Sequence, residues 1–279
     1  MHMNPLPVLG TGLSGTIGRF LTGAVASIDV RLETPVEKLS LPAAPFAFIH
    51  AAAVVGERSV LRDISAARRV NVDATLELAE AVIRSACSKF VFVSTSHVYG
   101  VSAPGSLLSE ESPVLPRGHY ALQKLLAEEM LHRVFARQPQ RLVIARVFSI
   151  IDGAQPPGTL GGAIRNLAEN PSGTLPNASD ERDFLTPGQT ADLLLACARS
   201  HDLCGVVNVC SGSATSVGGV AQLMLGDAKF FKLADRIHPG VSDAPSIVGS
   251  VGKLRAHLPN ETANLADTFR MSVRNVLAN

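Results

Sequence analysis

The chain has 279 residues, and its 25 Lys and Arg residues are matched by 24 Asp and Glu residues, which gives a formal charge of +1. Such a balance argues against a protein that grips nucleic acid or an anionic membrane by charge. Hydrophobic residues make up 46% of the chain and charged residues only 18%. A large core can therefore form, and global disorder is excluded.

The sequence also gives no sign of export or of metal binding. No apolar run reaches the roughly 18 residues that a membrane span needs, and Met1–Pro5 does not begin a basic-then-apolar signal segment. The four cysteines form no Cys-x-x-Cys pair, which is typical of small buried side chains in a reducing compartment. We therefore predict a cytoplasmic protein with no metal site and with neither nucleic acid nor membrane as a partner.

Short apolar runs alternate along the chain with longer segments of helical periodicity. This alternation predicts an α/β fold with a doubly wound parallel sheet that helices cover on both faces. The predicted strands are Pro7–Leu9, Ser27–Leu32, Phe46–His50, Phe90–Ser94, Leu142–Phe148 and Val206–Val209. The predicted helices are Ala66–Ser85, His119–Ala136 and Ala191–Arg199.

A glycine-rich loop follows the first predicted strand, where Gly12, Gly15 and Gly18 precede an expected helix. Glycine allows the turn and lets the backbone approach a pyrophosphate, and a helix N-terminus attracts the anion. The loop therefore predicts a dinucleotide site.

The pattern changes after about Ser149, because Gly and Pro interrupt residues 152–187 and no long periodic element is expected there. We predict a nucleotide-binding core of residues 1–150 plus roughly 188–212. Residues 151–187 plus 213–279 are predicted to form a smaller substrate-binding lobe.

The residues after the second predicted strand should distinguish NAD from NADP. A carboxylate there bonds the adenosine ribose, whereas an arginine accommodates a 2′-phosphate. The chain has Asp29, Arg31 and Glu33 in this place, and a register shift of one residue reverses the choice. Both cofactors therefore stay open.

Tyr120 and Lys124 lie four residues apart on a predicted helix and so share one face. A nearby cation favours the phenolate and lowers a tyrosine pKa from about 10, which would make Tyr120 usable as an acid or base near neutral pH. Thr95 ends an apolar strand, at the edge where open parallel sheets bind ligands. The alternatives are an exposed helical pair and a hydroxyl-rich turn.

In this order the motifs resemble the extended short-chain dehydrogenase/reductase family, and within it the NAD-dependent epimerase/dehydratase branch that acts on nucleotide sugars. Thr95 precedes Tyr120 by the 25 residues that separate the catalytic Ser/Thr and Tyr of that family. The other matching segments are Ile49–Ala52, Asn71–Thr75, Arg146–Ser149, Glu181–Phe184 and Asn208–Gly212.

The resemblance implies an NAD(P)-dependent epimerase or 4-keto reductase with a Rossmann core and a nucleotide-diphosphate sugar as substrate. Tyr120 would exchange a proton with the sugar, Lys124 would bind the nicotinamide ribose, and Thr95 would bond the same sugar oxygen. The implied cofactor-binding residues are Gly12, Ser14, Gly15, Thr16, Ile17, Gly18, Arg31, Ala51, Ala52, Asn71, Tyr120, Lys124 and Phe148. The implied substrate-binding residues are Thr95, Ser96, Ser149, Arg182 and Arg236, with Arg182 on the diphosphate.

Departures from the family pattern narrow the reaction. Related dehydratases carry an Asp-Glu pair after the catalytic Thr, where this chain has Ser96 and His97, so 4,6-dehydration is not expected. Epimerase-reductases of the family keep an acid/base residue where His97 stands. His97 is therefore either a further catalytic acid/base or a residue that only orients Thr95 or Tyr99.

Several alternatives stay open at this point. The tail has His238 where many relatives keep a second phosphate-binding arginine, so Arg236 is the predicted substitute. Epimerase and reductase are both open, as are a non-sugar carbonyl substrate and a catalytically silent dinucleotide sensor. The family resemblance also implies a homodimer through the helices that bear residues 71–85 and 120–136.

Overall fold

The computed structural model describes residues 6–27, 41–100, 102, 105–155 and 158–278. The strands within these residues are β1 (Val8–Thr11), β2 (Ala26–Ser27), β3 (Phe46–His50), β4 (Cys87–Thr95), β5 (Leu142–Val147), β6 (Ser149–Ile150), β7 (Glu181–Leu185), β8 (Gly205–Val209), β9 (Ala214–Ser216) and β10 (Ser246–Ile247). The α-helices are α1 (Glu57–Val60), α2 (Ile64–Arg68), α3 (Ala74–Ile83), α4 (His119–Val134), α5 (Leu160–Glu169), α6 (Pro187–Arg199), α7 (Val217–Leu225), α8 (Asp227–Lys232), α9 (Gly252–His257) and α10 (Leu265–Val273).

Six of the described strands form a parallel sheet in the order β2-β1-β3-β4-β5-β8. β4 lies inside this sheet between β3 and β5, so its carboxyl end at Thr95 is flanked by two other strand ends. A smaller sheet has the order β10-β7-β6, and β9 pairs antiparallel with β7. This architecture confirms the predicted α/β fold.

The central strands are apolar on both faces, as a sheet covered by helices on both sides requires. On β3, Phe48 belongs to one core cluster and Ile49 to the other. Phe90 of β4 stacks on Phe48 and on Phe135, with ring centroids 5.8 and 5.6 Å apart. Burying each such ring contributes ~1.5–3 kcal/mol. This packing fixes the strand ends that carry the site.

The long predicted helices are present. The predicted helix 66–85 is realised as α2 and α3, joined by a π-helical turn at Arg69–Asp73. α4 ends two residues before the predicted limit. α6 begins earlier than predicted because Thr186 and Gln189 form a capping box, in which each side chain accepts from the other residue's amide.

The helix expected after the glycine loop is not formed, since only a 3-10 turn at Gly18–Phe20 follows. β2 begins at Ala26, so the loop and the return of the chain must fit into residues 12–25. Residues 19–25 leave room for only about two helical turns after the loop, and the chain forms the 3-10 turn and further turns there instead. The sequence interpretation was wrong at this point.

The expectation that residues 152–187 hold no long element was also wrong, because α5 lies there. Thr159 caps this helix by accepting from the Gly162 N–H at 3.1 Å. The glycines at 161 and 162 are poor helix formers and hide the periodicity. Glycine is nevertheless required at 161, where a Cβ would stand 2.5 Å from the Asp152 carbonyl oxygen.

A separate apolar cluster occupies the second half of the chain. Its buried members are Ile151, Ile164, Leu167, Leu175, Phe184, Val217, Val220, Ala221, Met224, Leu225, Phe269 and Val273. All of them fall in residues 151–187 and 213–279, although the two-lobe division itself stays a prediction. None of the helices in the described part of the chain is both long and apolar enough to cross a bilayer.

Candidate active site

A cleft of about 930 Å³ opens where β1, β3, β4 and β5 end. This is the edge at which open parallel sheets bind their ligands. The predicted site residues that line it are Gly12, Ser14, Gly15, Thr16, Ile17, Gly18, Ala51, Ala52, Thr95, His97, Tyr120, Phe148, Ser149 and Arg182. Segments that are far apart in the sequence are therefore brought to one surface.

The other predicted site residues are placed elsewhere. Ser96 is buried at the start of a 3-10 turn and does not line the cleft. Asn71 and Lys124 are buried behind the cleft. Arg236 donates to the carbonyl oxygens of Leu167, Asn170, Pro171 and Gly173 beside the end of α5. Ser96 and Arg236 therefore do not line the cleft, unlike most of the other predicted site residues.

Arg31, with Asp29 and Glu33, lies outside the described residues. The choice between NAD and NADP consequently stays open on this side of the site.

The glycine loop fits a dinucleotide. Gly12 has φ 75°, and a Cβ on it would stand 2.5 Å from the Ala52 nitrogen. A Cβ on Gly18 would stand 2.1 Å from the Gly12 oxygen, whereas one on Gly15 would meet only that oxygen, at 3.2 Å. The other side of Gly15 is therefore open for the close approach of a pyrophosphate. Because no long helix follows, the loop amides would be the main donors there.

A buried polar chain fixes the ends of β1 and β3 beside this loop. Thr75 Oγ1 donates to a main-chain carbonyl one turn earlier at 3.1 Å, so it accepts from His50 Nε2 at 2.9 Å. Burial lowers the pKa of His50 to about 3, so the ring is neutral and its Nδ1 accepts from Thr11 Oγ1 at 2.6 Å. Thr11 Oγ1 in turn accepts from the Ala52 amide at 3.4 Å, which fixes the backbone beside the glycine loop.

Asn71 shapes the cleft from behind. Its side chain accepts from the Val54 amide at 2.8 Å and donates to the Val54 carbonyl at 3.0 Å. It also donates to Gln123 Oε1 at 2.9 Å, which ties the segment to α4. The residue lies in the π-helical turn, a distortion that often marks functional positions.

Thr95 and Tyr120 meet in the cleft. Thr95 Oγ1 accepts from the His97 amide at 3.3 Å, which leaves its own O–H to donate. Both residues line the cleft, and the Thr95 hydroxyl favours the phenolate form of Tyr120. Burial raises the pKa of Tyr120 to about 12, and the Thr95 hydroxyl opposes only part of that rise. The phenol is therefore protonated at neutral pH, whereas the sequence predicts a lowered pKa.

The position of Lys124 explains this difference. Its Nζ lies 3.8 Å from the centroid of the Phe92 ring, below the cleft. Burial lowers the pKa of Lys124 to about 7, although the Glu128 charge raises it in part. An amine that is only partly charged and lies over an aromatic face does little to favour the phenolate of Tyr120.

Lys124 should also leave a signature in stability. The folded state binds fewer protons than the unfolded state between its pKa of about 7 and the ordinary value of 10.5. The free energy of unfolding should therefore rise with pH in this window, by up to ~1.4 kcal/mol per pH unit. Lys124→Met should remove this rise, as urea unfolding of both proteins across the window would measure. Equal slopes in the two proteins would contradict the shift.

Below Lys124 lies a buried ion pair between α4 and β5. Arg146 donates to Glu128 from Nε at 3.1 Å and from Nη2 at 2.7 Å. Ser94 Oγ donates to the same carboxylate. The Arg146 guanidinium also lies over the Tyr99 ring, 4.7 Å from its centroid. This network connects the strand that ends at Thr95 to the helix that carries Tyr120.

His97 is exposed to the cleft beside Tyr120, with the two rings edge to face at 6.4 Å. Desolvation lowers the pKa of His97, the Arg182 charge adds to this, and Glu57 opposes it. The ring is therefore neutral at neutral pH. The ring can therefore contact a substrate in the cleft. A residue that only orients Thr95 would not need this exposure.

A continuous chain of polar contacts lies along the other side of the cleft. Arg182 Nη2 contacts Asp180 Oδ2 at 3.0 Å, and that carboxylate accepts from the Ser242 amide and hydroxyl at 2.9 and 2.6 Å. The next residue, Asp243, contacts Arg117 Nη1 at 3.1 Å. Two arginines that line the cleft, Arg117 and Arg182, are thus brought to one edge.

Asp183, which follows Arg182 on β7, has a structural role. It accepts from the Ser211 amide and the Gly212 amide at 2.7 and 2.8 Å, which holds the turn after β8. Burial raises the pKa of this carboxyl to about 6, against these hydrogen bonds. Arg182 is therefore held on a strand that is fixed to the main sheet.

Among the cleft residues that were not predicted from the sequence are Glu57 and Arg117. Glu57 accepts from the first amides of α4. The one local signal for Glu57 is that Gly118 precedes this helix and has no side chain to cap it. This signal indicates a missing cap but does not identify the distant residue that supplies it. No local pattern marks Arg117.

Comparisons with known proteins agree with this geometry. Residues 16–210 match the model of the NAD dependent epimerase/dehydratase family. The chain is similar to GDP-6-deoxy-D-mannose reductase of Pseudomonas aeruginosa, at 31% identity over 238 residues and 77% of each chain. It is also similar to dTDP-6-deoxy-L-talose 4-dehydrogenase (NAD(P)(+)) of Kitasatospora kifunensis, at 29% identity over 56% of this chain and 52% of that protein.

Solved structures share the fold. RMD from Pseudomonas aeruginosa complexed with NADPH superposes with a TM-score of 0.78 at 24% identity, over 98% of both chains. UDP-glucuronic acid 4-epimerase from Bacillus cereus in complex with UDP-glucuronic acid and NAD gives 0.77 at 20% identity, over 98% of this chain and 99% of that one. The chain belongs to the NAD-dependent epimerase/dehydratase family, a family of NAD(P)-dependent nucleotide-sugar epimerases and reductases.

Proposed function

We propose that the protein is an NAD(P)-dependent reductase of 4-keto nucleotide sugars. The observation that carries this proposal is the Thr95–Tyr120 pair at the end of β4, with a phenol that is protonated at neutral pH. A protonated phenol is ready to donate to a carbonyl oxygen, which is the reductive direction. An epimerase would need to remove a proton first.

The chain's residues then have defined tasks. A bound nicotinamide dinucleotide supplies the hydride for the carbonyl carbon. The Tyr120 phenol donates its proton to the carbonyl oxygen, and Thr95 O–H donates a hydrogen bond to the same oxygen. Positioned proton transfer of this kind contributes about 10²–10⁴-fold to a rate. Lys124 lies one turn further along the same helix, with its amine over the Phe92 ring.

The similarity to GDP-6-deoxy-D-mannose reductase supports the reductase over the epimerase. The alternative is an epimerase in which His97, exposed beside Tyr120, moves a proton at a sugar carbon. A non-sugar carbonyl substrate is disfavoured by the two arginines of the cleft, and a silent sensor by the presence of both Tyr120 and Lys124.

We assign the substrate diphosphate to Arg182 and Arg117. Both line the cleft, whereas the guanidinium of Arg236 is occupied by main-chain carbonyls. Asp243 is 87% exposed at its side chain and Arg117 is 57% exposed. Such an exposed pair is worth only ~0–1 kcal/mol, so a diphosphate can replace Asp243 on Arg117.

Arg117→Gln is expected to raise KM for the nucleotide sugar by about tenfold, since hydrogen bonds to charged groups are worth ~1.5–3 kcal/mol, and to leave dinucleotide affinity unchanged. The matched control is Arg68→Gln, because Arg68 is 55% exposed, pairs with Asp73 at 3.0 Å and does not line the cleft. Steady-state kinetics of both variants measure the difference. An equal KM in the two variants would exclude Arg117 from the site.

The test of the proposed function is absorbance in the reduced-nicotinamide band while a panel of nucleotide sugars and their 4-keto derivatives is supplied. Net loss of the reduced cofactor with a 4-keto sugar supports the reductase. Isomerisation without that loss identifies the epimerase. Turnover of simple ketones alone identifies a non-sugar substrate, and dinucleotide binding with no turnover identifies a sensor.

We also propose a homodimer, in which α4 contributes to the contact. Leu122 and Leu126 lie four residues apart on this helix and are 52% and 46% exposed, so they form an apolar stripe on its outer face. Sedimentation of the purified protein tests the mass, and a monomer at assay concentration would contradict the proposal.

A further inference from the structure

The amino end of α4 takes its cap from a distant part of the chain. The helix begins after Gly118, which has φ 85° and no side chain to cap the first amides. Those amides need acceptors because no preceding turn supplies them. Glu57, 62 residues earlier, accepts from the His119 amide through Oε1 at 3.0 Å and from the Tyr120 amide through Oε2 at 2.9 Å.

The two sides of this contact fit closely. A Cβ on Gly118 would stand 2.5 Å from Glu57 Oε2, so only glycine leaves room for the carboxylate. Burial alone would raise the pKa of Glu57, but the hydrogen bonds from Tyr120 and His119 outweigh it and hold the pKa below its usual value. The carboxylate is therefore ionised at neutral pH, and an anion at a helix N-terminus is stabilising.

Glu57 also lies between two parts of the cleft. It directly follows residues 51–56, which line the dinucleotide side. Asn71 holds this segment through Val54. On the other side, Glu57 contacts the backbone of Tyr120 itself. One carboxylate thus connects the segment that faces the dinucleotide to the residue that carries the phenol.

We propose that Glu57 is a positioning residue, whose bonds to the first amides of α4 set the place of the Tyr120 phenol relative to Thr95 and to residues 51–56. Its effect on turnover rests on the proposed function of Tyr120. Its effect on the position of Tyr120 does not, and the two are measured separately.

The position of the phenol can be observed without any substrate. The chain has two tyrosines and no tryptophan, so fluorotyrosine labelling gives two fluorine NMR resonances, which Tyr99→Phe assigns. In Glu57→Ala the Tyr120 resonance is expected to shift or broaden while that of Tyr99 stays. Glu57→Gln keeps one acceptor oxygen and is expected to change the Tyr120 resonance less.

Asp63→Ala is the matched control, because Asp63 caps the neighbouring helix α2 through the Ala66 amide at 2.8 Å. It should lower the melting temperature as a lost cap does and leave both resonances in place.

In turnover, Glu57→Ala is expected to lower kcat by about 10- to 100-fold, the cost of a misplaced catalytic group, with KM and dinucleotide affinity unchanged. Glu57→Gln should recover part of that loss. Gly118→Ala should repeat the pattern of Glu57→Ala, because it displaces the carboxylate from the other side of the contact.

An unmoved Tyr120 resonance in Glu57→Ala overturns the proposal, as does an equal loss of kcat in Asp63→Ala. Should Tyr120→Phe retain turnover, the proposed function fails, whereas the fluorine spectra still decide whether Glu57 positions the phenol.

Discussion

Replacing Tyr120 with Phe is expected to lower kcat by about 10²–10⁴-fold while dinucleotide affinity stays unchanged. In the proposed function the phenol O–H is the proton donor to a carbonyl oxygen, and its burial keeps it protonated, with a pKa of about 12. The ring itself remains in Tyr120→Phe, so the shape of the cleft is preserved. Steady-state turnover and fluorescence titration of the reduced dinucleotide separate the two effects.

Tyr99→Phe is the matched control for this prediction, since it removes the same oxygen from the other tyrosine of the chain. The Tyr99 hydroxyl donates to Asn208 Oδ1 at 2.7 Å and lies away from the cleft. Its removal leaves a buried acceptor unsatisfied, which costs ~1–3 kcal/mol of stability, and should spare kcat. Wild-type turnover in Tyr120→Phe, or an equal loss in Tyr99→Phe, would refute the assigned role.

The sheet could be predicted because each strand is a local apolar run. Phe46–His50 and Val206–Val209 were located almost to the residue. The absence of a helix after Gly18 could not be predicted, because it depends on where β2 begins rather than on the local sequence pattern. α5 was hidden by Gly161, which is there because Asp152 packs against it. Close tertiary packing overrides propensity at such positions.

The candidate site was predictable where it follows from topology. Carboxyl ends of parallel strands meet at one edge, so Thr95 and the glycine loop were expected to share a cleft. The burial of Ser96 was not predictable, because a 3-10 turn replaces the alternation of the strand. The contact between Glu57 and α4 joins residues that are far apart in the chain, and a single sequence carries no signal for such a pair.

The raised pKa of Tyr120 shows a further limit of sequence reasoning. Helical spacing correctly puts Lys124 on the same face as Tyr120. Burial nevertheless lowers the pKa of the lysine, and its amine lies over the Phe92 ring. The spacing of two residues determines which face of a helix their side chains share. Their charges depend on what surrounds them, which only the packed structure supplies.

Arg146→Met is expected to lower the free energy of unfolding by ~3–5 kcal/mol, the cost of leaving one partner of a buried ion pair alone. Arg146 and Glu128 are almost wholly buried, so water cannot replace the lost guanidinium around the carboxylate. Urea unfolding of wild type and variant measures the loss.

The double variant Arg146→Met with Glu128→Leu is expected to recover most of that stability, because no charge is then left unpaired. The Nη1 atom of Arg146 has no hydrogen-bond partner even in the wild-type protein, so the pair is not fully satisfied and apolar side chains can replace it. A double variant as unstable as the single one would show instead that Ser94 or the Tyr99 ring depends on the pair. Because the Glu128 charge also raises the pKa of Lys124, the double variant should lose charge on that lysine. Stability should therefore return in the double variant, while the rise of unfolding free energy with pH that Lys124 causes should begin at a lower pH than in the wild-type protein.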